Sequence, residues 1–130
     1  REGGQAAMET LAESSPGRWF SADFVKAQPA TVQRAQAWIA GIAPEGYAAC
    51  CDALAASDLR DDLGRITTPT LLLACSSDPV TTVSDAQAMQ ASIPGAQLAV
   101  VPASHLSNLE APRAFNQAVL HFLSTPQLTS

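Results

Sequence analysis

Thr68-Pro69-Thr70-Leu71-Leu72-Leu73-Ala74-Cys75-Ser76-Ser77-Asp78 is the stretch on which the reading of this fold turns. A Pro opens it, five apolar residues follow without polar alternation, and small polar residues then deliver an acid. An unbroken apolar run of this length, bounded by turn residues, predicts a strand buried on both faces. Such strands belong to parallel sheets with helices on either side, and the loops leaving their carboxyl ends are where these sheets place chemistry. Asp78 stands at that end. A second run, Gln97 to Pro102, leads to Ala103-Ser104-His105, which puts His105 in the same position relative to its own strand.

Working outward, the second half of the chain reads as strand, helix, strand, helix. After the first strand comes a loop from Ser76 to Val83, then a helix capped by Ser84 and carrying Met89 and Ile93. Pro94-Gly95 turns the chain into the second strand, and a last helix starts near Pro112. Phe115, Ala118, Val119, Phe122 and Leu123 form its apolar stripe at helical spacing. Strand–helix–strand order makes the two strands parallel neighbours. The first half has a different texture. Gln5 to Glu13 is helix-like, Ser14-Ser15-Pro16-Gly17 breaks it, and Ser21 opens a short helical segment that Pro29 ends. Thr31 is expected to cap a helix striped by Val32, Ala35, Ile39 and Ile42, and Pro44 fits the first turn of an Ala-rich helix to Ala56. Ser57 to Gly64 is polar and reads as a connector.

This divides the chain into a helical portion, 1–59, and an α/β portion, 60–130. Two fully buried strands cannot make a sheet alone, because their edges need further strands. The expectation is therefore the C-terminal portion of a larger α/β unit with an incomplete sheet, completed by an N-terminal part of the same or a separate chain, or by self-association.

Composition removes several classes of function. Apolar residues make up 47% of the 130, which is enough for a core. The net charge of −5 with a single lysine, Lys26, argues against nucleic acid and anionic membrane surfaces, which both want clustered Lys and Arg. No apolar run approaches the roughly 20 residues that span a bilayer. The cysteines, Cys50, Cys51 and Cys75, show neither metal-ligand spacing nor a bridgeable arrangement, so packed, reduced thiols in a cytoplasmic protein are expected.

The residues that can carry chemistry are few. Taken singly, Asp78 before Pro79 reads as a loop cap and His105 as a loop histidine. Together, at neighbouring strand ends and in the order acid then histidine, they match the second and third members of an α/β-hydrolase triad. The histidine moves the proton and the carboxylate orients it. No Gly-x-Ser-x-Gly elbow occurs in these residues. Ser76, Ser77 and Ser104 lack the glycines that expose a nucleophile, and they read as polar loop residues. His121 lies off the apolar stripe of the last helix, and Glu110 suits the start of that helix. Trp19, in a segment that covers the sheet, is a candidate pocket-lining residue.

Arg18-Trp19-Phe20-Ser21, Glu45-Gly46-Tyr47 with Cys50-Cys51, Ser77-Asp78-Pro79 and His105-Leu106-Ser107-Asn108-Leu109-Glu110 together resemble the 3-oxoadipate enol-lactonases. These are α/β-hydrolases of the β-ketoadipate pathway of aromatic degradation. The resemblance implies that 1–59 is a portion of a helical cap and 60–130 the last two strands and helices of the core. It further implies a serine hydrolase that opens a small-molecule enol-lactone, with a serine from elsewhere, His105 as base and Asp78 orienting it. Arg18, beside Trp19, is the candidate partner for the substrate carboxylate, and no cofactor or metal is implied. Without the nucleophile, the 130 residues alone are expected to be inactive. Rival readings are another cap-bearing ester or C–C hydrolase, a haloperoxidase-like relative, or a non-catalytic folding or interaction module.

Overall fold

The computed structural model describes residues 3–125. The chain divides into two compact units, Arg1–Leu59 and Arg60–Ser130.

The first unit is helical. It comprises α1 (Gly4–Ser14), α2 (Pro16–Trp19), α3 (Ala22–Ala27), α4 (Pro29–Ala40) and α5 (Pro44–Ala56). Three of these helices begin with Pro, where a missing N–H costs nothing and the fixed φ favours the first turn. Pro29 thus opens α4 as well as ending α3. The helix starts there, capped by Gln28 without a side-chain bond, so Thr31 is an interior residue and not the expected cap. Ser21 does cap α3, its Oγ accepting the Phe24 N–H. The core forms where α1 meets α2 and α4. Met8, Ala12, Ser15 and Pro16 recur at helical spacing, and Phe20, Val32 and Ala35 are buried with them. Phe20 stacks on Phe24 at 5.0 Å between ring centroids. The Gln36 amide Nε2 donates to the Ala12 carbonyl and ties α4 to α1.

Helix α5 departs from expectation. None of its residues is buried, and Cys50 and Cys51 are both exposed. Its Ala-rich sequence carries no apolar stripe, so there is no face to drive its cysteines inward. Trp38 on α4 is likewise 54% exposed, with the Arg34 guanidinium 5.8 Å from its ring centroid.

The second unit contains a 3₁₀ segment (Arg60–Arg65), β1 (Leu71–Cys75), α6 (Val83–Ser92), β2 (Gln97–Val101), a one-turn α7 (Ser107–Glu110) and α8 (Pro112–Ser124). The connector read as polar coil is thus partly helical. The strands pair in parallel, from Leu71 opposite Gln97 to Cys75 opposite Val101. Gly95 adopts φ 72 in the turn into β2, a left-handed conformation that glycine enters without a Cβ penalty. Helices α6 and α8 both pack on the two strands. Cys75, Val101 and Ala103 form the centre of the core, with Leu73, Ala111 and Ala114 against them.

Three expectations fail in this unit. The strands are not buried throughout: Leu71, Leu72 and Leu73 are half-buried, and Val100 is 49% exposed. Two strands with α6 and α8 against them leave part of the sheet uncovered among the described residues. Helix α6 is capped by Thr82 and not Ser84, because Thr82 and Asp85 close a reciprocal capping box. On α8, Phe115, Ala118, Val119 and Phe122 are half-buried, whereas Leu123 at the end of the stripe is 71% exposed. The helix ends at Ser124, so Leu123 lies in its last turn.

Candidate active site

The carboxyl ends of β1 and β2 lie side by side, because the register pairs Cys75 with Val101. Each strand runs on into a short loop, and the two loops are laced together by backbone hydrogen bonds. Ser76 N–H donates to the Val101 carbonyl (3.0 Å) and Ser77 N–H to the Ala103 carbonyl (3.1 Å). The Ser104 hydroxyl adds a third tie, donating to the Ser77 carbonyl at 3.3 Å. Asp78 and His105 follow directly on these ties. His105 Nδ1 and Asp78 Oδ2 are 2.9 Å apart.

Asp78 is held on every side. Oδ1 accepts the N–H groups of Val80 (2.7 Å) and Thr81 (3.2 Å), and Oδ2 accepts the Thr81 hydroxyl (2.8 Å) besides the imidazole. Accepting from the residue two places on is an Asx-turn, which Pro79 between them favours. Asp78 thus caps its own loop and bonds the histidine at the same time. Its side chain is only 4% exposed, and burial pushes the carboxyl up. The hydrogen bonds from His105, Val80 and Thr81 outweigh that and hold it at about 2, against an ordinary 3.8. An ionised carboxylate only accepts, so Nδ1 must carry the imidazole proton. In the neutral imidazole Nε2 then keeps its lone pair, on a ring that is 30% exposed. The arrangement can take up a proton at Nε2 while the carboxylate stabilises the imidazolium that forms.

Two parts of this geometry escape a reading of residue types. Ser104 is 2% exposed and joins the acid and histidine loops, where a polar loop residue was expected. Glu110, assigned above to the dipole of the last helix, instead closes α7, and its Oε2 accepts the Ser104 N–H at 3.1 Å. The local signals were a Thr three residues after Asp78 and an acid five residues after His105.

Arg18 and Trp19 belong to the helical unit, on α2. Trp19 is half-buried; Arg18 is exposed, with Nη2 donating to the fully buried Ser15 Oγ at 3.1 Å. In the same unit a groove of about 370 Å³ is lined by residues including Met8, Leu11, Pro44, Tyr47 and Cys51. Burial raises the Tyr47 phenol above its usual range, the Cys51 thiol beside it adds to this, and the positive charge of Arg18 opposes it. Among the described residues, no group of three or more His, Cys, Asp or Glu side chains could hold a metal ion, and no helix is long and apolar enough to cross a membrane.

The sequence model described as the alpha/beta hydrolase family matches residues 2–118. Among curated proteins, 3-oxoadipate enol-lactonase 2 of Acinetobacter baylyi is 43% identical over 112 residues, covering 86% of this chain and 42% of the relative. 3-Oxoadipate enol-lactonase 1 of the same organism is 41% identical over 120 residues, covering 92% and 45%. Among solved structures, the enol-lactonase from Burkholderia xenovorans LB400 matches with a TM-score of 0.88 at 32% identity, covering 91% of this chain and 45% of that one. The chain thus spans somewhat less than half the length of the relatives it resembles.

Proposed function

This chain belongs to the alpha/beta hydrolase family, and from that premise we propose that it supplies the acid and base of a cytoplasmic serine hydrolase that opens 3-oxoadipate enol-lactone to 3-oxoadipate during aromatic degradation. The observation that carries the reading is the Asp78–His105 pair, hydrogen-bonded at 2.9 Å at the ends of two parallel strands. The choice of an enol-lactone rests on the likeness to the two Acinetobacter baylyi enol-lactonases.

In this mechanism a serine from outside the 130 residues attacks the lactone carbonyl as His105 Nε2 takes its proton. The tetrahedral intermediate collapses, the ring C–O bond breaks, and the imidazolium returns the proton to the departing enolate oxygen. The enol then becomes the ketone. Water attacks the acyl-enzyme while Nε2 accepts one of its protons, and that proton goes back to the serine as the carboxylic acid departs. Asp78 keeps Nδ1 protonated throughout. The helical unit acts as a cap portion, with Arg18 pairing the substrate carboxylate and Trp19 lining the pocket. No cofactor or metal takes part. The sheet and the triad are completed by an N-terminal part of the enzyme, so the 130 residues alone are inactive.

The test is a substrate panel on the full-length protein, with His105→Ala as the control. Turnover of the enol-lactone should exceed that of p-nitrophenyl acetate and fall by about 10⁵-fold or more in the variant. Turnover of aryl esters with none of the lactone would remove the lactonase assignment, and an active His105→Ala enzyme would remove the triad.

A further inference from the structure

We infer that Glu110 is a positioning residue for His105, setting the base through the backbone it holds; this rests on the triad reading above. An imidazole orients by its ring partner and by the backbone that carries it. Asp78 supplies the first, and its own loop is fixed by Val80 and Thr81. The backbone side depends on Ser104, the residue before His105. Its N–H is taken by Glu110 Oε2 at 3.1 Å, and its hydroxyl donates to the Ser77 carbonyl at 3.3 Å. Glu110 can reach back six residues because α7 winds the chain round, its own N–H bonded to the Leu106 carbonyl at 3.0 Å.

Ser104 is therefore gripped from two sides, by the acid loop and by α7. Releasing the α7 grip leaves the imidazole bonded to Asp78 through Nδ1 but free to swing at its Cα end. Nε2 belongs to the same rigid ring and is carried along with that swing. Misplacing a reacting group by about 1 Å costs rate on the order of a hundredfold, without altering how substrate is bound in the ground state.

The experiment is steady-state kinetics of full-length variants with 3-oxoadipate enol-lactone and p-nitrophenyl acetate. Glu110→Gln keeps an acceptor oxygen at the same reach and drops the charge. Glu110→Asp keeps the charge and withdraws the oxygen by one methylene, and Glu110→Met keeps the reach without an acceptor. In Glu110→Asp and Glu110→Met, kcat is expected to fall roughly ten- to a hundredfold with KM within about twofold of wild type. Glu110→Gln should retain kcat within about threefold, because its carbonyl still accepts the Ser104 N–H. The low-field Nδ1 proton of His105 should persist in the proton NMR spectrum of Glu110→Gln and broaden in the other two. Wild-type kcat in Glu110→Asp or in Glu110→Met overturns the inference, even if Tm drops, because the role would then be structural. Loss in Glu110→Gln with retention in Glu110→Asp also overturns it, assigning the effect to charge. A parallel His105→Ala variant separates the two levels. If it is active, the triad reading has failed; if it is dead while Glu110→Asp runs at wild-type kcat, only the positioning role has failed.

Discussion

The loops after β1 and β2 and the helix α5 are all rich in small residues, polar in the loops and mostly alanine in the helix, and they fold to opposite ends. In the loops, three hydrogen bonds besides the Asp78–His105 bond cross between the two segments, and four converge on one carboxylate. In α5, no residue is buried, Leu54 is 77% exposed and both cysteines face outward. The difference lies in what each segment follows. The loops inherit their adjacency from the strand register, so short polar side chains find partners within reach. An Ala-rich helix has no stripe to orient it and depends on whatever lies alongside. Geometry at the acid–base pair is thus internal to one unit, while the residues proposed for recognition lie on the other.

The sharpest way to break this contrast is Asp78→Asn. An amide can donate where the carboxylate only accepts, which favours the wrong imidazole tautomer; kcat of the full-length enzyme should drop about ten-thousandfold. A loss below tenfold would mean that the laced loops do not govern the chemistry. Next in size is Phe20→Ala in the helical unit. Phe20 is 2% exposed and stacked on Phe24, so urea denaturation should show a loss of about 3–5 kcal/mol. A cost below about 1 kcal/mol would show that the helical unit has no packed core of its own.

A smaller effect comes from acid. The Asp78 carboxyl is lowered to about 2 in the folded protein from an ordinary 3.8. Its contribution to stability is therefore present above about pH 4 and lost as pH falls towards 2, and it amounts to about 2 kcal/mol. Asp85, lowered by its hydrogen bonds to Thr82, changes in the same direction. Denaturation midpoints measured from pH 5 downward should fall less steeply in Asp78→Asn than in wild type, and parallel curves would contradict the assignment. The smallest effect is expected on α5, where Cys50→Ser and Cys51→Ser should each change stability by under about 0.5 kcal/mol. A thiol reagent should label these two cysteines in the native protein and spare Cys75.

Whatever in this fold follows from nearest neighbours was legible in the sequence. The five-residue strand, the Pro-opened helices α5 and α8 and the acid–histidine spacing are all local patterns. Asp78 and His105 were visible as a pair because strand ends in a parallel sheet converge. What escaped depends on reach. Glu110 bonds Ser104 only because α7 turns the chain back, and the sequence of that turn carries no strong helical signal. Thr82 displaced Ser84 as a cap through its reciprocal bond with Asp85, a choice between two suitable neighbours that Asp85 decides. Leu71 to Leu73 are less buried than their sequence predicts, because an apolar run reports what a strand prefers to contact and not how much of the surrounding sheet covers it.

The Arg34–Trp38 stack has a practical corollary. Trp19, Trp38 and Tyr47 are the only indole and phenol groups of the chain, and all three belong to the helical unit. Intrinsic fluorescence is therefore blind to the strands and to the acid–base pair. Trp38, more than half in water beneath a guanidinium, should emit to the red and quench readily with iodide, while the half-buried Trp19 should emit further to the blue and resist it. Emission read against far-ultraviolet circular dichroism, to which the strands also contribute, would tell whether the two units melt in one transition or two.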